Sequence, residues 1–389
     1  MFSAAERMVA IEPFRVMALL DEARALEAQG RDIVHMEIGE PDFETPEPVV
    51  RAAQRALQQQ SQHYTSALGL PALREAIAQF YGERYRLSID RDDIVITSGA
   101  SAALLLSLGV AVNRGEGVLL SDPGYPCNRH IVTFVGAEPQ PVAVSADDNY
   151  QLSAAAVAEH WRDHSRAVML ASPSNPSGTV LSQPALQQLA AEVSEREGVL
   201  LVDEIYHALS YGETPLPSAA ALGGNRFVIN SFSKYFCMTG WRLGWLLLPA
   251  GAVEEVAKLA QNLYIAPTTL SQQAALAAFA PETIEIVEQR RHHFLQRRDR
   301  LAEGLCELGL PPARLPEGAF YLYVDSSRWS DDSMGLSRRL LYEAGVAVTP
   351  GGDFGDYRAA DHLRFAYTTS IERIELALER LQSWRQRQL

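Results

Sequence analysis

Residues 167–204, AVMLASPSNPSGTVLSQPALQQLAAEVSEREGVLLVDE, hold a complete structural unit: an apolar run, a turn with two prolines, an amphipathic stretch and a second apolar run ending on two acids. The runs AVMLAS (167–172) and VLLVDE (199–204) are apolar at successive positions rather than alternate ones. That is how a strand reads when both faces of its sheet are covered. The stretch between them, LSQPALQQLAAEVSEREG (181–198), has the spacing of a surface helix. The alternation extends outward through IVIT (94–97), GVLLS (117–121), PVAV (141–144), FVIN (227–230) and WLLLP (245–249). Seven buried runs separated by helical segments predict an α/β fold with a mostly parallel seven-stranded sheet flanked by helices.

Beyond residue 280 the pattern changes. Residues 282–308 read as one long charged helix, followed by strand candidates at 320–324, 346–349 and 363–367 and a terminal helix near 371–388. This tail predicts a smaller α+β domain, completed by an N-terminal helix near 14–29 that Gly30 ends. No low-complexity segment or repeat interrupts the chain.

Composition bounds the partners. The 389 residues are 47% hydrophobic and 21% charged, with 34 basic against 48 acidic residues and a formal net charge of −14. With no basic run, neither nucleic acid nor an anionic membrane surface is an expected partner, so small anions must be captured locally. Three scattered cysteines, Cys127, Cys237 and Cys306, suggest neither a disulfide framework nor a zinc site. His292 and His293 lie in a charged helical pattern without other nearby ligands and read as a solvated face, so no metal is expected. Glu6 and Arg7 stand where a signal peptide would need an apolar run, and no span suits a membrane; the expected location is the cytoplasm.

Ligands of open α/β sheets gather outside the carboxyl ends of the strands. There the sequence places Ser98-Gly99-Ala100-Ser101 at a helix start, Tyr125 in DPGYP, Asn175 between two prolines, Asp203 with Tyr206, and Ser231 with Lys234 and Arg242 in SFSKYFCMTGWR. Singly, each has a structural reading: a helix cap, a surface turn, a turn-forming amide, a snorkelling lysine. Their placement at five strand ends favours one ligand, a phosphorylated aromatic aldehyde with a basic ring nitrogen, as in pyridoxal phosphate. Arg242, Ser231 and the helix start at Gly99, Ala100 and Ser101 take the phosphate. Asp203 holds the ring nitrogen protonated, Tyr125 stacks on the ring, Asn175 and Tyr206 meet its hydroxyl oxygen, and Lys234 forms the Schiff base.

The blocks GEPDF (39–43), HYTSALGLPALREAI (63–77), TSGASAAL (97–104), DPGYP (122–126), SPSNPSGT (172–179), VDEIYHAL (202–209), SFSKYFCMTGWRLGW (231–245), PEGAFY (316–321) and LRFAYTTS (363–370) occur in order along nearly the whole chain. In this the sequence resembles the class I/II aminotransferases of pyridoxal-phosphate fold type I. The resemblance implies a large domain at 47–280, a small one built from 1–46 and 281–389, and a homodimer whose active sites are shared. It also implies an amino acid and a 2-oxo acid as substrates in a ping-pong reaction. Gly39 would then contact substrate through its backbone, Tyr64 would reach the phosphate in the partner subunit, and Arg364 would grip the α-carboxylate. Aspartate-using members of a similar branch carry lysine where Ser101 stands, so the resemblance implies a neutral, aromatic or broad donor range. Arg15 reads as an exposed helix arginine. The alternative on the same scaffold is a carbon–sulfur lyase working by β-elimination. A ligand-sensing regulator would need a DNA-binding domain and a basic face, and neither is present in these residues.

Overall fold

The computed structural model describes residues 2–59 and 61–388. Its strands are β1 (Val34–Met36), β2 (Ile94–Thr97), β3 (Gly117–Asp122), β4 (Glu138–Ala143), β5 (Ser165–Ala171), β6 (Val199–Asp203), β7 (Arg226–Ser231), β8 (Gly244–Leu247), β9 (Tyr321–Asp325), β10 (Val346–Pro350) and β11 (His362–Ala366). The expected seven-stranded sheet forms in the order β2-β8-β7-β6-β5-β3-β4. Only β8 runs against its neighbours; the other pairs are parallel. The unit at 167–204 is realised directly: Ala167 pairs with Val199 and Ala171 with Asp203, and helix Gln183–Glu195 makes the crossover. Ser182 caps that helix by accepting the Ala185 N–H, with Pro184 in its first turn.

Every residue of β2 and β6 is buried, as a doubly covered sheet requires. The run expected at 141–144 departs from this. It becomes β4, shifted to Glu138–Ala143, with Gln140 and Val142 buried and Glu138, Pro141 and Ala143 exposed. The cause is its edge position: one side of β4 has no strand to receive hydrogen bonds, which is where Pro139 and Pro141 are tolerated.

A second sheet has the order β1-β10-β11-β9, parallel at β1–β10 and antiparallel elsewhere. The three expected strands of the tail are there; β1, three residues long, was too short to stand out in the sequence. The long helix is Pro281–Glu307 and the terminal one Ile371–Gln386. Helix Arg15–Glu27 buries Leu19, Ala23 and Leu26 against Ile33, Leu341 and Ala347, and Gly30 follows it with φ +86°. At its C-terminal end His35 lies between two carboxylates, 2.7 Å from Glu37 and 3.1 Å from Glu27. These contacts, Glu37 foremost, raise His35 to about 9.

Cys127, Cys237 and Cys306 are free thiols. His292 and His293 are exposed, His293 beside the ring of Phe43. Among the described residues no group of side chains is arranged to hold a metal ion, and no helix is long and apolar enough to cross a membrane. Because β8 alone is reversed, the carboxyl ends of β2, β3, β5, β6 and β7 open on one edge. There they meet Tyr321 and Arg364 from the second sheet.

Candidate active site

A cavity of about 490 Å³ lies at that edge, lined by Gly39, Ala100, Ser101, Tyr125, Asn175, Asp203, Tyr206, Lys234, Arg242 and Arg364. Of the residues singled out in the sequence, Gly99, Ser231 and Tyr64 are not on its wall.

The acids that end β6 go separate ways. Glu204 is satisfied by its own chain, accepting the Ser218 hydroxyl at 2.8 Å and the Ala219 N–H at 2.7 Å. Among the described residues the Asp203 side chain accepts only the Ile205 N–H, at 2.9 Å, and burial pushes its carboxyl up to about 7. A buried carboxylate without a cation is costly, and an arriving cation would return it to the ionised form. Lys234 donates to the Gly39 carbonyl at 2.7 Å, and burial lowers its ammonium to about 8. Gly39 cannot be larger, since a Cβ there would lie 1.9 Å from the Tyr321 hydroxyl.

Arg364, on β11, is 4% exposed. Its Nη1 donates to Asn175 Oδ1 at 2.9 Å and its Nη2 to the Glu37 carbonyl at 2.5 Å and Thr349 Oγ1 at 3.1 Å. The rings of Tyr321 and Phe354 lie 4.2 and 4.8 Å from the guanidinium carbon. All its partners are neutral, and the buried Nε has none. Among the described residues no carboxylate forms an ion pair with it; Asp353, on the same wall, feels its charge without touching it. Tyr206 shares a 2.7 Å hydrogen bond with Tyr321. Tyr321 ends the PEGAFY block, a signal available in the sequence but given no role there.

Helix Ala100–Ala111 begins at Gly99 with no side-chain cap, leaving its first N–H groups free. Gly99 has φ +79°, and a Cβ there would sit 2.7 Å from Arg242 Nη2. Ser101 is exposed on the first turn. Tyr125 meets Phe14 edge-on at 6.1 Å. Its turn is fixed by Asp122, which accepts the N–H groups of Asp356 and Tyr357 at 3.1 and 3.3 Å.

Ser231 is buried behind the wall, bonded to the Leu243 carbonyl at 3.0 Å and the Ser233 hydroxyl at 2.9 Å, and Ser233 lines the cavity in its place. Tyr64 is 79% exposed and does not line the cavity of its own chain. The guanidinium of Arg15 pairs with Glu12 at 3.1 Å, as an exposed arginine would. Sequence reasoning missed Phe14, Val16, Met17 and Leu20, which bring the N-terminal helix into the wall, and also Asp353.

The chain matches the family model for aminotransferase class I and II over residues 31–381. A valine–pyruvate aminotransferase of Mycobacterium tuberculosis is 37% identical over 375 residues, 96% of each chain. An aspartate/prephenate aminotransferase of Thermus thermophilus is 35% identical, again over 96% of each. Among solved structures, an aminotransferase from Mycobacterium tuberculosis superposes with a TM-score of 0.95 at 37% identity, covering 99% of both chains. The Thermus thermophilus aspartate aminotransferase with maleate superposes at 0.91 and 34% identity, covering 98% of this chain and 99% of that one. The chain therefore belongs to the class I and II aminotransferase family. It is a pyridoxal-phosphate-dependent transaminase of fold type I.

Proposed function

We propose that this enzyme moves an amino group between an α-amino acid and a 2-oxo acid, which enter one cavity in turn in a ping-pong cycle. The observation that carries the reading is a pair of buried groups of opposite charge, Asp203 and Arg364, neither in an ion pair among the described residues, lining one cavity with an amine lowered to about 8. Such a cavity asks for a ligand that is cationic at one point and anionic at another.

The residues fit pyridoxal phosphate. Arg242 and the free N–H groups at the start of helix Ala100–Ala111 suit the phosphate, and the Gly99 cradle stays open only because no Cβ fills it. Asp203 would hold the ring nitrogen protonated, Tyr125 would cover the ring, and Asn175 and Tyr206 would meet its hydroxyl oxygen. Ser231 joins the phosphate site only by exchanging the Leu243 carbonyl for a phosphate oxygen. When bound, the cofactor supplies an electron sink and carries the amino group between the half-reactions. Arg364 orients the substrate through a bidentate grip on its α-carboxylate, with the Gly39 backbone beside it. Lys234 would take the Cα proton as base and hand it on as acid to the cofactor carbon that accepts the amino group, a task suited to a pKa near the working pH. The reading includes cytoplasmic location and a division into one body at 47–280 and another from 1–46 and 281–389.

Adding amino acids singly to the holoenzyme and following the cofactor's absorbance tests the transfer. Conversion without an acceptor, yielding a 2-oxo acid and no free ammonia, is expected; ammonia and pyruvate from cysteine would assign β-elimination instead. Arg364→Lys keeps the charge and loses the fork, so kcat/KM for α-amino acids should fall about 10- to 100-fold. Amines lacking the carboxylate should change much less. Equal losses for both would remove Arg364 from substrate recognition.

The same reading makes the enzyme a homodimer in which Tyr64 completes the partner's phosphate site, motivated by its exposure and its absence from the wall of its own cavity. Loss of one hydrogen bond to a charged group costs about 1.5–3 kcal/mol, so Tyr64→Ala should weaken cofactor binding roughly 10- to 150-fold. Mixing Tyr64→Ala chains with Lys234→Ala chains under limiting cofactor should restore activity, because a mixed dimer gathers both lesions in one site. Mixtures that exchange subunits yet stay inactive would show that Tyr64 acts elsewhere.

A further inference from the structure

One wall of the cavity is apolar and comes from the N-terminal helix. Val16, Met17 and Leu20 line the cavity with Phe14, Ile38 and Leu104. Met17 stays 47% exposed, an apolar side chain that this chain only half covers. Helix Arg15–Glu27 has no cap from its own preceding residue, Phe14. A distant carboxylate does that work: Asp353, 3% exposed, accepts the N–H of Arg15 at 3.0 Å on one oxygen and that of Val16 at 3.3 Å on the other. The other end of the helix is held where His35 joins Glu27 to Glu37. Asp353 also precedes Phe354, whose ring covers Arg364. One short loop thus places both the α-carboxylate grip and the apolar wall.

We propose that Asp353 is a positioning residue that sets donor specificity: by docking helix Arg15–Glu27 it holds an apolar pocket that receives an apolar amino-acid side chain. This rests on the transfer reading above and names its donor class. The charges of the cavity agree, with one exception. Lys234, Arg242 and Arg364 have their places, Ser101 offers a hydroxyl and no cation, and Glu40 is bonded to Thr239. Among the described lining residues that leaves Arg24, one turn beyond Leu20, as the cation by which a second carboxylate would be bound.

The test is the half-reaction of the holoenzyme with L-leucine, L-alanine and L-aspartate, separating maximal rate from apparent affinity. Leucine should exceed aspartate at least 100-fold in efficiency. In Asp353→Asn the amide sets an N–H against one helix N–H, and loss of that bond should lower the leucine-to-alanine efficiency ratio about tenfold, mostly through apparent affinity. Met17→Ala, at a half-exposed position that folding does not depend on, should lower the same ratio about threefold or more and carries the test if the Asn variant does not fold. Parallel losses for leucine and alanine in these variants would reduce Asp353 to a structural role and overturn the proposal. Alanine converted with aspartate as good as leucine would overturn the apolar pocket alone and point to Arg24. If the wild type converts no amino acid, the transfer reading falls and takes this proposal with it.

Discussion

Lys234→Ala is expected to lower kcat by about 10⁴-fold or more while leaving a folded protein that still takes up pyridoxal phosphate without a covalent link. Two losses coincide in this variant. The amine is both the cofactor's anchor and the group proposed to move the Cα proton, and proton transfer by a positioned side chain contributes about 10²- to 10⁴-fold by itself. Burial makes the residue suitable, lowering it to about 8 so that a neutral amine is present at working pH. The chain has only two lysines, which makes the check unusually clean. The other, Lys258, is exposed on helix Val253–Tyr264 and paired with Glu254 and Glu255. Borohydride treatment and peptide mapping should therefore mark the peptide containing Lys234 in the wild type and no peptide in the variant. A mark on Lys258 would overturn the assignment.

The strand-end residues were legible because the physics that exposes them is local. A run such as VLLV has to be buried on both faces, so the Asp203 that ends it is recognisable as a charge in need of a partner. The same holds for Lys234 after FVIN. Arg364 was a different case: all five residues of β11 are buried, and nothing within HLRFA says that the guanidinium forms no ion pair among the described residues. Only the family resemblance picked it out.

What stayed hidden depends on contacts between distant residues. Tyr206 meets Tyr321 across 115 residues, and Asp353 caps a helix 338 residues away in the chain. Periodicity finds helix Arg15–Glu27 but not the cavity its side chains enter. Ser231 is another case. Its place beside Lys234 pointed to the cavity, yet β7 extends to Ser231, which pairs with Gly244 of β8, so its hydroxyl is taken up by the adjoining Leu243 carbonyl. The β4 shift has a similar origin, since an edge position is a property of the sheet and not of the segment.

Asp203→Asn should separate the two acids that close β6. The side chain keeps its size and still accepts the Ile205 N–H, so the protein should fold and bind cofactor. The negative charge is lost, and with it the means of keeping a ring nitrogen protonated. Removing one preorganised electrostatic group from a water-poor site typically costs about 10²–10³ in kcat, and a loss of that order is expected here. Glu204→Gln provides the contrast. Glu204 is as buried as Asp203 and is also pushed up to about 7, but its oxygens are spent on Ser218 and Ala219 and it does not line the cavity. Its amide keeps an oxygen for the Ala219 N–H and turns its NH2 to the Ser218 hydroxyl, which can accept, so the exchange should cost about 1 kcal/mol of stability or less and little of the rate. Thermal unfolding and steady-state kinetics on the two variants distinguish these effects. If Asp203→Asn transaminates at the wild-type rate, or if Glu204→Gln loses as much in kcat, the charge at the ring nitrogen is not supplied by Asp203 alone.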